Sequence, residues 1–197
     1  MHLNPADFNS ISWRGPSIDD EEILARLPVT LFEVLREING FILHRGALHV
    51  RGACTSPPWH SLRHAWLSEN AMYRLYHSVT PQDIPFAQDL FGDQFLLRDG
   101  AVSANSRQTA ELERMADDLD EFWNGIETDF SAYLNVNAGE LNPGELVLAY
   151  PPFCVEESEA NIDFSKIPAF ECIQFHANLA RQLKDVPEGA KIKFNIP

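Results

Sequence analysis

Apolar residues change their spacing several times along this chain, and each change marks an element. Leu31, Val34, Leu35 and Ile38 recur at helical intervals. Asn39-Gly40 behind them tolerates the left-handed backbone that ends a helix, so a helix is predicted over about 30–38. Upstream, Ser17-x-x-Asp20 resembles a helix-starting box and predicts a short helix through Arg26, interrupted at Pro28. Thr30-x-x-Glu33 reads as a second box. Residues 1–16 show no periodicity and read as an arm or loop. Gly46 to Arg51 alternates and predicts a strand.

The aromatic stretch from Trp59 to Tyr76 partly lines a helical face, with a break at Ser68-Glu69-Asn70. Core packing is the preferred reading of Trp59, Trp66, Tyr73 and Tyr76 over a recognition surface. The densest signal runs from Ile84 to Val102. There Phe95-Leu96-Leu97 and Ala101-Val102 flank Arg98-Asp99-Gly100, a strong hairpin cue because Gly100 can take a positive φ. Residues 110–126 carry two conflicting signals. Leu112, Met115, Ala116, Leu119, Phe122, Trp123 and Ile126 fit one helix, while Asp118-x-x-Glu121 is a capping box inside that pattern. A second helical piece is predicted from Asp129 to Leu134. Glu145 to Tyr150 reads as a strand after the turn Asn142-Pro143-Gly144. Ala169 to Lys184 reads as an amphipathic helix, and Ile192, Phe194 and Ile196 as a terminal strand.

Composition narrows the functional classes. At 197 residues, 45% of them hydrophobic, the chain can bury a real core. No apolar run approaches the ~20 residues of a membrane helix. Met1-His2-Leu3-Asn4-Pro5 lacks the basic and apolar parts of a secretory signal, and Cys54, Cys154 and Cys172 fit reduced, buried thiols. A cytoplasmic protein is therefore expected. The net charge of −14 repels phosphate backbones and argues against nucleic acid, but it suits a basic protein partner. All four lysines lie at or after Lys166.

Three segments together resemble the SUKH superfamily of bacterial immunity proteins, which also includes a fungal cell-wall-synthesis regulator. They are Leu27-Pro28 with the helix ending in Asn39-Gly40, the stretch Ile84-Pro85-Phe86-Ala87 through Gly92-Asp93 to Arg98-Asp99-Gly100, and Leu119-Asp120-Glu121-Phe122. The match covers about 20–134. Phe32 stands where the family pattern has a tyrosine, so any bond from that hydroxyl is absent. The resemblance implies an α+β fold with a mostly antiparallel sheet flanked by helices, and a C-terminal α/β extension. With the unpatterned arm (1–16) set apart, the chain reads as a SUKH-like core (17–134) and, beyond the matched segments, an extension (135–197) packed on the same domain. The resemblance also settles the conflict: a strand near 111–115, then a helix from about 118 with Phe122 facing inward.

Catalytic patterns are scarce. There is no nucleophile elbow, Walker loop or dinucleotide glycine pattern. His60 and His64, four apart, would share one face of a helix as a zinc pair does, but further ligands are missing and they read as two partly exposed helix histidines. His44 and His49 read as surface or packing residues. Asp19-Asp20 and Asp117-Asp118 sit where helix N-termini favour carboxylates. Glu156, Glu157, Glu159 and Asp163 have no such role. They read as a solvated loop or, alternatively, as the contact patch for a basic partner. No enzyme, metal or cofactor is expected. The resemblance implies a binding protein that neutralises a toxin, a nuclease for example, by stoichiometric occlusion. A regulatory interaction module with an endogenous partner is the alternative.

Overall fold

The computed structural model describes residues 5, 8–134, 140–155, 162–187 and 189–190. The order of elements is β1 (Ile11–Arg14), α1 (Glu21–Leu24), α2 (Val29–Glu37), β2 (Phe41–Leu43), β3 (Leu48–Val50), α3 (Leu62–Leu67), α4 (Met72–Leu75) and β4 (Ile84–Asp89). Then follow β5 (Gln94–Arg98), β6 (Ala101–Asn105), β7 (Leu112–Ala116), α5 (Leu119–Tyr133), β8 (Glu145–Tyr150), β9 (Asp163–Pro168) and α6 (Ala169–Leu183). Strands β1 to β7 form one antiparallel sheet in chain order, and β8–β9 form a separate antiparallel pair. With helices flanking it, the sheet makes the protein α+β, as expected.

The hairpin at the centre forms as its turn chemistry dictates. Asp99 and Gly100 both have positive φ (51° and 88°), the two-residue loop that matches strand twist. Arg98 and Ala101 close it. The conflict over 110–126 resolves as strand then helix. The Asp118 carboxylate accepts from Glu121 N at 2.8 Å and starts α5. The Glu121 carboxylate reaches back one residue further than a capping box requires, to Asp117 N. Asp129 kinks α5 (φ −149°, ψ 75°), so the second helical piece is the continuation of one element.

Other boundaries move. The segment read as an arm supplies an edge strand, with Ile11 opposite Leu43. Ser17 starts nothing: Asp20 is the N-cap of α1 and accepts from Ile23 N at 3.1 Å. Thr30 lies inside α2, whose N-cap position is Pro28. The helix therefore starts two residues ahead of one capped by Thr30. The predicted strand at Ile192–Ile196 lies outside the described residues.

Asp20 also ties α1 to α3. Its buried carboxylate takes Arg63 Nη2 at 2.8 Å and Nε, and that bonding holds its pKa below the ordinary carboxylate value. Asp20→Ala removes a cap and one partner of a half-exposed ion pair. We expect a loss of about 2–3 kcal/mol, read from the urea midpoint. Asp20→Asn, which keeps the cap, is expected to recover about 1 kcal/mol of it.

The two faces of the sheet differ. Phe95, Leu97, Val50 and Val102 belong to one apolar cluster with Leu31 and Leu35 of α2 and Phe122, Trp123 and Ile126 of α5. Phe122 points inward and is fully buried, 5.3 Å from Phe95 between ring centroids. Leu96, on the opposite face, joins a second cluster with Met72 and Tyr76, Leu146 of β8, and Cys172, Ile173 and Ala177 of α6. Leu146 of β8 and the buried side of α6 thus pack on this second face, whereas Leu141 and Val147 join the first cluster.

Candidate functional site

The second face carries a polar row that the register makes inevitable. Directly opposed residues in antiparallel strands stand on the same face. His49 of β3 faces Gln88 of β4, Gln88 faces Gln94 of β5, and Gln94 faces Asn105 of β6. All four side chains are buried. Arg51, two residues from His49 and 2% exposed, lies across the row. Its Nη1 donates to Pro85 O (2.7 Å) and Ala87 O (3.3 Å), and its Nη2 to Gln88 Oε1 and Gln94 Oε1 (2.8 Å). Burial alone pushes the guanidinium down to about 9, so it stays charged at neutral pH.

His60 does not sit on a helix with His64. Helix α3 begins at Leu62 behind the Ser61 cap, and His60 is fully buried before it. Its partner is His49, with His49 Nε2 and His60 Nδ1 2.8 Å apart. His60 Nε2 faces the Asn39 carbonyl at 3.0 Å and therefore holds the proton that it donates. His60 Nδ1 is left as acceptor, so His49 Nε2 donates to it. Burial drives His60 down to about 4 and His49 well below its usual value, the latter helped by His60 and Arg51. His64 is half-buried and stands against Phe170. The zinc pair is thus not built. Among the described residues, no three His, Cys, Asp or Glu side chains gather to hold a metal.

Asn39 anchors this centre. Its Oδ1 accepts from Ala53 N at 2.7 Å and its Nδ2 donates to Pro16 O at 2.9 Å. A Cβ on Gly40 would lie 2.4 Å from His60 Cε1, and one on Gly52 2.4 Å from Asn39 O, so backbone must approach the imidazole there without side chains.

A second polar assembly reaches the surface where β8 and β9 open. Tyr150 and Asp163 are register partners, and both are exposed. Phe153 and Phe164 stand beside them with ring centroids 6.3 Å apart, and both approach Phe91 (5.2 and 5.9 Å). Arg107 underlies this end. Its guanidinium lies 5.0 Å from the Phe91 ring and 5.1 Å from the Phe153 ring. Asp93 holds it through Nη1 and through the backbone N–H (2.7 Å). Beside it, Gln108 Oε1 accepts from Cys154 N. Cys154 is exposed, against the expectation of three buried thiols, while Cys54 and Cys172 are buried. Tyr150 at 52% and Phe164 at 53% exposure are the two largest aromatic surfaces open to solvent among the described residues.

Of the sequence-predicted contact residues, Asp163 opens β9 at this end; Glu156, Glu157 and Glu159 lie outside the described residues. Sequence reasoning places the acidic cluster beside Phe153 but does not connect Tyr150 and Phe164 with it, although both lie within fourteen residues of Asp163. It also missed the buried row, where only register reveals that four separate polar residues are neighbours. Trp66 and Tyr76 are buried, as core packing requires, and Trp59 and Tyr73 are half-buried against the second cluster. No helix among the described residues is long and apolar enough to cross a membrane. No family model matches the chain, and neither the search of curated proteins nor that of solved structures returned a significant match.

Proposed function

We propose that this chain is a non-enzymatic binding protein, an immunity protein that neutralises a basic toxin, such as a nuclease, by covering its active site one to one. The observation that carries the reading is the open end of β8–β9. Tyr150, Phe153 and Phe164 expose aromatic surface around Asp163, on a strand whose first four residues are all exposed. Clustered exposed apolar surface marks interaction sites, and tyrosine is among the residues enriched at binding hot spots. A net charge of −14 adds long-range attraction for a cationic partner and speeds encounter. The resemblance of three segments to the SUKH superfamily points the same way.

The test is co-expression with the protein encoded by the neighbouring gene. A one-to-one complex and rescue of growth are expected. Phe164→Ala and Tyr150→Ala are each expected to weaken binding about tenfold or more, and Asp163→Lys to slow association most at low salt. No complex and no rescue would sink the reading. A complex that tolerates the Tyr150→Ala/Phe164→Ala double variant would move the contact elsewhere.

A further inference from the structure

Arg51 combines three properties seldom found together. It is buried to 2% exposure, and among the described residues no carboxylate pairs with it, in a chain with 29 Asp and Glu. Its four Nη bonds go to neutral oxygens, and no acceptor among the described residues takes its Nε–H. The third property is a narrow cleft between α3, α4 and α6 that reaches Arg51, with Trp59, Ala65, Met72, Ala169 and Phe170 among its walls. The cleft offers about 20 Å³, the room of a single water-sized body.

We propose that this cleft binds a small monovalent anion of the chloride class, held by the Arg51 guanidinium against apolar walls. A buried cation without a counter-ion is costly, and neutral carbonyl dipoles meet only part of that cost. The narrowness of the cleft favours a monatomic anion over phosphate, sulfate or an organic carboxylate. The charge of −14 disfavours multivalent anions, while one guanidinium balances one negative charge. His64 lines the same cleft, and its pKa is held down by burial first and by the Arg51 charge second, so the Arg51 field extends into the space.

The experiment compares thermal unfolding of the intact chain in sodium chloride and in sodium gluconate, whose anion is too large to enter, at equal ionic strength. The wild type is expected to unfold roughly 3–8 °C higher in saturating chloride. Ala65→Val, which fills the cleft with two methyl groups, is expected to lose that difference. Equal or lower stability of the wild type in chloride overturns the proposal, as does a full chloride effect in Ala65→Val. Should that variant not fold, bromide diffused into crystals of the wild type decides. An anomalous peak within about 4 Å of Arg51 Nε supports the site, and bromide found only elsewhere rejects it.

Discussion

Arg51→Ala is expected to cost several kcal/mol, enough to remove the cooperative unfolding transition if the protein has ordinary stability of about 5–15 kcal/mol. Two effects oppose each other. Deleting the guanidinium relieves the burial of a charge. That burial lowers its pKa from 12.5 to about 9, which corresponds to about 5 kcal/mol. Against this, Pro85 O, Ala87 O, Gln88 Oε1 and Gln94 Oε1 lose their donors in the interior, at about 1–3 kcal/mol each. The cavity left by the side chain adds about 3 kcal/mol or more. Losses exceed relief throughout that range. Arg51→Met separates the terms, because it restores the stem without the donors. It is expected to recover about 2–3 kcal/mol relative to Arg51→Ala and still to fall short of wild type. Urea unfolding of the three proteins tests the order. An Arg51→Ala protein within about 1 kcal/mol of wild type would show that Gln88 and Gln94 re-pair between themselves; Gln94 Nε2 already stands 3.4 Å from Gln88 Oε1.

How much of this was legible in the sequence depends on range. Local chemistry was readable. Asp99-Gly100 specifies its turn in two residues, and Asp118 caps α5 three residues away. The strand before that cap was not resolved by period alone. Leu112, Met115 and Ala116 serve a strand as well as a helix, and the family resemblance supplied the choice. Short strands escaped for a different reason. Ile11-Ser12-Trp13-Arg14 does alternate, but four residues beside a polar arm give little signal. Phe41-Ile42-Leu43 is buried on every residue and shows no period. Residues 163–168 of β9 are mostly exposed and carry no apolar pattern at all.

The candidate sites depended on contacts far apart in sequence. His49 and His60 meet across eleven residues, and Arg51 meets Gln94 across 43. Nothing in the spacing of polar residues along separate strands announces that they form a row. The helical periodicity near His64 actively misled, because it extended the helix back over His60, where Pro57 and Pro58 hold the chain in turns until Ser61. Asp163 opens β9 and caps no helix; its neighbours along the chain are acidic, while those in space are aromatic.

Lowering the pH from 7 to 4 is expected to destabilise the fold by several kcal/mol, with histidines as the cause. His60 is held at about 4 and His176 at about 3, each mainly by burial, and His49 lies well below its usual value. In the unfolded chain each titrates near 6.5. Between that value and the folded pKa the unfolded state binds more protons, so stability is full above about pH 6.5 and drains as pH falls. The shift of His60 corresponds to about 3 kcal/mol and that of His176 to about 5 kcal/mol. His176 has no hydrogen-bond partner for either ring nitrogen, so a protonated ring would find no acceptor for its two N–H groups. Asp20 and Asp83 have lowered pKa values as well, Asp20 through Arg63 and Asp83 through Arg98 and Thr80 against the opposing effect of burial. Their contribution has the same sign but is lost only as pH drops below about 3.8 through their folded values, so it falls below the histidine window. Urea unfolding between pH 4 and 8 should therefore show a slope of up to ~1.4 kcal/mol per pH unit for each buried histidine, beginning near pH 6.5. His176→Leu fills the same buried position with a group that cannot titrate, and should reduce that slope by about one histidine's share. A profile flat from pH 7 to 4.5 would mean that these imidazoles reach solvent or a proton acceptor in the folded protein. An unchanged slope in His176→Leu would place the acid sensitivity on the His49–His60 pair alone, where two imidazoles and Arg51 leave no room for a second positive charge.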